Sequence, residues 1–163
     1  MKVFITGANG FIGKSLCSKL KNTNFEVSAA VRSLTSLSNH NNINYLSVGD
    51  ITLKKDWKDL LLGHDGVIHC AGKAHQIDKN QNNSLKNYRL INFETTKKIA
   101  KHCADVGVKR LIFLSSVGVL GNNTNNRKPV SNFDKPNPSE SYAISKFEAE
   151  QALFEISDNT GLK

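Results

Sequence analysis

The chain has 163 residues, of which 39% are hydrophobic and 22% charged, and its formal net charge is +8. This length suits one domain with a substantial core, and the lack of a long apolar run or secretory signal predicts a cytoplasmic protein with no membrane partner. The lysines are scattered rather than clustered, so we expect an anionic small ligand and no nucleic acid partner.

The first element is a short apolar strand that runs directly into a glycine-spaced turn, Thr6–Gly13, at the start of a helix. Gly7 permits a tight turn, Gly10 lets the main chain approach a ligand, and Gly13 lets the helix pack closely. Free N–H groups and a positive dipole end at such a helix attract phosphate, so the turn predicts a pyrophosphate site. A glycine-rich turn without a ligand is the alternative.

Short β-branched runs then alternate with longer segments of helical periodicity. Five strands are predicted, at Val3 to Thr6, Glu26 to Val31, Asn44 to Val48, Gly66 to Cys70 and Arg110 to Ser115. The last strand is uniformly apolar, as a buried parallel strand is. This alternation predicts an α/β fold with a doubly wound parallel sheet of strand order 3-2-1-4-5, helices on both faces and a ligand at the carboxyl ends of the strands.

Four helices fill the gaps between the strands. The first runs from about Phe11 to Lys21, and a short one follows Thr52, as its N-cap, to Leu62. The final helix runs from near Ser139 to about Asp158. The longest ends before Gly107 and carries one stripe that consists of Tyr88, Ile91, Thr95, Ile99, His102 and Val106.

Two polar groups fall where a ligand at that edge of the sheet would be reached. Ser115 and Ser116 end the fifth strand, and Tyr142 and Lys146 lie four residues apart on the last helix. That spacing places both side chains on one helical face, where an ammonium can lower the pKa of a phenol and make it a usable acid or base. Taken singly, Ser115-Ser116 is more often a strand-end turn than a catalytic group, and the Tyr142–Lys146 spacing also occurs on solvated helix faces.

Three cysteines lie far apart in the sequence, without the spacing of a metal site or a disulfide framework. We therefore expect buried thiols and no metal. They are Cys17, Cys70 and Cys103.

In combination, the motifs resemble the extended short-chain dehydrogenase/reductases, also called the NAD-dependent epimerase/dehydratase family of nucleotide-sugar enzymes. The resemblance covers the whole chain. Its five matching segments, in order, are Thr6 to Gly13, Asp50-Ile51, Asn92 to Thr96, Ser115 to Gly121 and Pro138 to Lys146. The resemblance implies a Rossmann-type NAD(P)-binding domain over residues 1–163, lacking the C-terminal strands and substrate domain of the family.

The resemblance also implies roles for individual residues. The catalytic residues would be Ser116, Tyr142 and Lys146. The cofactor-binding residues would be Thr6, Gly7, Asn9, Gly10, Phe11, Ile12, Gly13, Arg32, Asp50, Ile51, Ala71, Gly72, Asn92, Tyr142 and Lys146. Two of these assignments have simple structural alternatives, because Asp50 is also placed to cap the helix after Thr52 and Asn92 is also an ordinary polar helix residue.

Within the family, the segments around Arg32, His69 and Ser116 are similar to bacterial surface-polysaccharide enzymes that interconvert 4-keto and 4-hydroxy sugars. These include UDP-glucose 4-epimerase-like proteins and UDP-N-acetylquinovosamine dehydrogenases. The implied substrate is a nucleotide sugar, with UDP-sugars favoured. The resemblance further implies a homodimer formed through the two longest helices.

Three departures from the family pattern shape the functional hypothesis. Arg32 stands where NAD-preferring members carry an acidic residue, and an arginine suits a 2′-phosphate, so NAD(P) with a preference for NADP(H) is expected. Thr95 replaces a glycine and Leu120 a tyrosine. The chain is also about half the family's length, so we expect no turnover by this chain alone. A non-catalytic NAD(P)-binding module is the second hypothesis.

Overall fold

The computed structural model describes residues 1–34, 39–74, 84–123 and 128–163. At its centre is a five-stranded parallel sheet of order β3-β2-β1-β4-β5. The predicted order and direction are confirmed, and the predicted ends of the strands are within one or two residues. The strands are β1 (Lys2–Thr6), β2 (Glu26–Val31), β3 (Ile43–Ser47), β4 (Gly66–His69) and β5 (Arg110–Phe113).

Helices cover both faces of the sheet. Alternate residues of a strand point to opposite faces, so Val3 and Ile5 pack with Cys17 of the first helix, while Phe4 packs with Trp57 and Ile99 on the other side. Within the described ranges no helix is both long and apolar enough to cross a bilayer. The helical segments are α1 (Phe11–Leu20), α2 (Lys58–Leu61), α3 (Ser84–Tyr88), a π-helical turn (Arg89–Glu94), α4 (Thr95–Asp105), a 3-10 turn (Val117–Leu120) and α5 (Ser141–Thr160).

The prediction that a helix starts after Thr52 is wrong. The backbone N–H and the hydroxyl of Thr52 both donate to the Asp50 carboxylate, at 2.9 and 2.8 Å, which forms a local turn instead of a helix cap. Helix α2 starts only at Lys58, after the fully buried Trp57. Burial of the indole edge-on against Phe4, at 6.4 Å between ring centroids, fixes where the chain turns into α2.

The longest predicted helix is interrupted by the π-helical turn. The Thr95 hydroxyl donates to the carbonyl of Leu90, five residues earlier, at 2.9 Å. A π turn holds one extra residue and rotates the helix face that follows it. Asn92 is consequently buried, with 1% exposure, whereas Ile91 of the predicted apolar stripe is half-buried.

Strand β5 is an edge strand, and the prediction that it is uniformly buried is wrong. Leu111 and Phe113 point towards α5, but Ile112 points to the opposite face, where it is 47% exposed. Helix α1 packs against β1, β2 and β3 and leaves that part of the sheet open.

The end of the chain returns to the outer edge of β5. Helix α5 starts at Ser141 rather than Ser139 and ends before Gly161, which adopts a left-handed conformation with φ 75°. The N–H of Lys163 then donates to the Lys109 carbonyl at 3.1 Å, and Leu111 donates back to the Lys163 carbonyl at 2.6 Å. This exchange is the hydrogen-bond pattern of a parallel ladder.

Candidate active site

The glycine turn lies tightly between β1 and the loop after β4. Gly7 has φ +65°, and a Cβ placed there would lie 2.7 Å from the Ala71 nitrogen. A methyl group on Gly13 would overlap the Gly7 carbonyl oxygen, so the helix packs against the turn itself. Only glycine permits both the left-handed conformation and these close approaches. The amino end of α1 is open, with the Phe11 side chain 96% exposed.

A cleft of about 820 Å³ lies at the carboxyl ends of β1, β2 and β4. Three of the predicted cofactor residues lie beside the cleft rather than in its wall: Phe11 and Ile12 are exposed on α1, and Gly13 is buried beneath the turn. Nine line it: Thr6, Gly7, Asn9, Gly10, Arg32, Asp50, Ile51, Ala71 and Gly72.

The outer end of this cleft carries one cation and one anion. The backbone N–H and hydroxyl of Thr52 lower the pKa of Asp50, and the positive charge of Arg32 adds to this effect. Asp50 therefore stays ionised, and it neither caps a helix nor faces away from the cleft. Arg32 follows β2 directly, and its carbonyl accepts a hydrogen bond from Ser47 at 3.2 Å.

Behind the cleft, Asn92 fixes the loop after β4. Its Oδ1 accepts from the Lys73 N–H at 2.8 Å, and its Nδ2 donates to the Lys73 carbonyl at 3.0 Å and to Ser145 Oγ at 3.1 Å. The Ser145 hydroxyl donates to the Tyr142 carbonyl at 2.7 Å. Asn92 thus joins the loop to α5. An ordinary polar residue on a helix surface, the alternative considered above, would not make these buried contacts.

Tyr142 and Lys146 lie one turn apart near the start of α5. The Tyr142 ring is half-buried and meets the Tyr88 ring edge-on, with centroids 5.8 Å apart. Lys146 is only 5% exposed, and its ammonium lies 4.2 Å from the centre of the Phe113 ring. Burial lowers the pKa of Lys146 to about 8, against the opposing influence of Glu150 and Cys70.

Ser116 reaches the same part of the fold through the 3-10 turn. It is the N-cap of that turn, and its Oγ accepts from the Gly118 N–H at 3.2 Å. A Cβ on Gly118 would lie 3.4 Å from both Ser116 Oγ and the Ala143 Cβ. The three predicted catalytic residues therefore come from two elements that pack against each other.

Sequence reasoning gave no individual role to two buried polar residues beside the site, His69 at the end of β4 and Ser145 on α5. A polar residue that ends an apolar strand, or that precedes a functional lysine on a helix, is the signal that could have found them. Among the described residues, no three His, Cys, Asp or Glu side chains converge as a metal site requires.

The chain is similar in sequence to two bacterial 4-epimerases. It is 33% identical over 162 residues to a UDP-glucose 4-epimerase of Vibrio cholerae, covering 99% of this chain and 48% of that protein. It is 30% identical over 156 residues to an N-acetyl-alpha-D-glucosaminyl-diphospho-ditrans,octacis-undecaprenol 4-epimerase of Escherichia coli, covering 94% of this chain and 43% of that protein. The chain thus spans about half the length of these relatives.

Solved structures share the fold. A UDP-glucuronic acid 4-epimerase from Bacillus cereus in complex with NAD superimposes with a TM-score of 0.83 at 24% identity, covering 99% of this chain and 54% of that one. MoeE5 in complex with UDP-glucose and NAD gives 0.81 at 25% identity, covering 96% and 49%. The family model described as NAD dependent epimerase/dehydratase matches residues 3–163. By this match over nearly its whole length, the chain belongs to the NAD-dependent epimerase/dehydratase family.

Proposed function

We propose that this chain is the dinucleotide-binding part of a nucleotide-sugar oxidoreductase or epimerase that acts at the C4 hydroxyl or carbonyl of the sugar. A UDP-sugar is the proposed substrate, and bacterial surface-polysaccharide synthesis in the cytoplasm is the proposed setting. The epimerase relatives, one of which acts on an undecaprenol-linked sugar by its name, support this proposal.

One observation carries the proposal: the buried Lys146 ammonium lies behind Gly72 in the wall of the cleft, one helical turn from Tyr142. The Lys146 ammonium lies close to the loop after β4, because a Cβ on Gly72 would be 3.7 Å from its Nζ. Burial lowers the pKa of Lys146 to about 8, and Tyr142 lies one helical turn away on α5. A helix that served only to pack against the sheet would not need a buried charge there.

The cleft residues fit a dinucleotide from one end to the other. The open amino end of α1 offers N–H groups to the pyrophosphate, and Arg32 and Asp50 lie at the end proposed for the adenosine. When bound, the nicotinamide would supply hydride transfer. This chain's residues hold the proton: Tyr142 would exchange it with the sugar oxygen, and Ser116 would hydrogen-bond the same oxygen.

We further propose a preference for NADP(H). Arg32 is positively charged and directly follows β2, where a ribose 2′-phosphate would lie. Binding of NAD+ and NADP+ to the chain, measured by calorimetry, tests this preference, and tighter binding of NAD+ would contradict it.

We also propose a homodimer formed through α4 and α5, which pack side by side on one face of the sheet. Sedimentation velocity tests it, since a monomer at micromolar concentration would contradict the proposal.

A second candidate is a dinucleotide-binding module without catalysis. It is supported by the open groove of about 610 Å³ beside β5, which extends from Ser116 along Phe113 to Leu153, because Ser116 is the residue proposed to meet the sugar. On either proposal the chain binds dinucleotide, and we expect no turnover of a nucleotide sugar by the chain alone.

A chimera separates the two candidates. In it, this chain replaces the matching 48% of the Vibrio cholerae relative. If the chain carries the catalytic groups, the chimera interconverts UDP-glucose and UDP-galactose, and Tyr142→Phe lowers the rate at least 100-fold with dinucleotide affinity unchanged. Tyr88→Phe is the matched control on the neighbouring ring. An inactive chimera that folds and binds dinucleotide would favour the non-catalytic module.

A further inference from the structure

His69 ends β4 directly behind the glycine turn, fully enclosed between two threonine hydroxyls. Its Nδ1 lies 2.6 Å from Thr6 Oγ1, and its Nε2 lies 3.0 Å from Thr96 Oγ1. The ring is 1% exposed and stacks on Phe113, with centroids 6.0 Å apart. Nothing in the proposed chemistry uses this imidazole, although Thr6, one of its two partners, lines the cleft.

The hydrogen bonds assign one tautomer to this ring. Thr96 has a single hydroxyl proton, and it donates that proton to the Asn92 carbonyl at 2.6 Å. Thr96 Oγ1 can then only accept, so His69 carries its proton on Nε2. Nδ1 is the acceptor, so Thr6 donates to it. In the other tautomer, Thr96 would donate to Nε2 and two acceptor oxygens would face each other at 2.6 Å.

The imidazole is neutral in this position. Burial, together with the positive charge of Lys146, lowers the pKa of His69 to about 3. A protonated ring would donate from both nitrogens and would place a second positive charge beside the lysine ammonium. This row of hydrogen bonds, with His69 in one tautomer, therefore persists at every pH well above 3.

The chain of hydrogen bonds runs in one direction from the loop after β4 to the π-helical turn. The Ala71 N–H donates to Thr6 Oγ1 at 3.1 Å, and the chain continues through His69 and Thr96 to the Asn92 carbonyl. The Asn92 side chain then returns to the same loop at Lys73. The loop is thus held at Ala71 and Lys73, on both sides of Gly72. Hydrogen bonds aligned head to tail also polarise one another, which strengthens each of them.

We propose that His69 is a positioning residue of the dinucleotide site, whose fixed Nε2–H tautomer ties the glycine turn, the loop after β4 and Asn92 into one unit. The inference rests on the proposed dinucleotide site. It predicts that the hydroxyl of Thr96, which lines no part of the cleft, controls dinucleotide affinity through the ring.

The first test compares two neighbouring buried threonines in the 163-residue chain. Thr96→Val removes the hydroxyl that accepts from His69 Nε2 and donates to the Asn92 carbonyl, while Thr95→Val removes a buried hydroxyl that donates to a helix carbonyl without contacting His69. Thr96→Val should weaken NAD+ binding, measured by calorimetry, roughly 3- to 10-fold, and Thr95→Val less than twofold. Thr96→Ser keeps the hydroxyl and should restore the affinity. Equal losses in both valine variants would overturn the proposal.

The second test needs no ligand. In uniformly ¹⁵N-labelled protein, the His69 ring proton should reside on Nε2, and Thr96→Val should shift both the His69 ring nitrogen resonances and the Ala71 amide resonance, whereas Thr95→Val should shift neither. A proton on Nδ1 overturns the proposal whatever the affinities are. If the unmodified protein binds neither NAD+ nor NADP+, the proposed function fails. The NMR resonances then still test the hydrogen bonds through His69 by themselves.

Discussion

Replacing Lys146 with methionine should make the folded protein more stable, because the charge of this lysine is buried. The side chain is 5% exposed, and burial lowers its pKa from 10.5 to about 8. A shift of that size corresponds to about 3 kcal/mol of lost stability at pH 7, where the group is charged in both the folded and the unfolded state. Contact with the Phe113 ring, 4.2 Å away, returns about 1 kcal/mol.

Lys146→Met should therefore raise the free energy of unfolding by about 2 kcal/mol at pH 7, since methionine fills a similar volume without a charge. The sign of the pH dependence follows from the lowered pKa. Between pH 8 and pH 10.5 the unfolded chain binds a proton that the folded chain has released, so the stability of the unmodified protein rises with pH. The advantage of the variant should fall by half or more at pH 9.5.

Urea unfolding of both proteins at pH 7 and pH 9.5 measures this difference. Lys101→Met on the exposed side of α4 is the matched control and should change the stability by less than about 0.5 kcal/mol at either pH. A variant that is less stable at pH 7, or an advantage that does not depend on pH, would refute the reasoning. The expected result would mean that the protein retains a destabilising buried charge beside its cleft, which the proposed function of Lys146 explains.

Three further predictions concern other parts of the fold. Gly13→Ala should cost about 1–3 kcal/mol of stability in urea unfolding, because its methyl group would overlap the Gly7 carbonyl; an unchanged midpoint would contradict this packing. Arg32→Asp should weaken NADP+ binding at least 10-fold and NAD+ binding far less, and calorimetry showing equal losses would contradict a role with the 2′-phosphate. Iodoacetamide at pH 7.5 should label no cysteine of the folded protein while labelling all three in urea, because burial raises the pKa of each thiol, to about 11 for Cys70, to about 12 for Cys103, and also for Cys17.

The sequence by itself determined the sheet and the position of the cleft. Apolar runs of four to six residues separated by helical periodicity specify parallel strands, and short right-handed connections leave few alternatives to the order that is observed. The glycine turn was equally readable, because only glycine satisfies the positive φ at Gly7 and the contact at Gly13. The strand runs and the glycine turn depend on the backbone geometry of short segments, and the residues of each segment specify that geometry.

The tertiary structure alone decided which polar residues are buried and what they bind. Asn92 faces the loop after β4 because a π turn rotates the helix by one residue, which no 3.6-residue pattern reveals. His69 finds its partners 63 and 27 residues away in sequence. Hydrogen bonds between distant segments form only after packing has brought those segments together. The strands and the glycine turn could therefore be predicted from the sequence, while the hydrogen bonds that hold the site together could not.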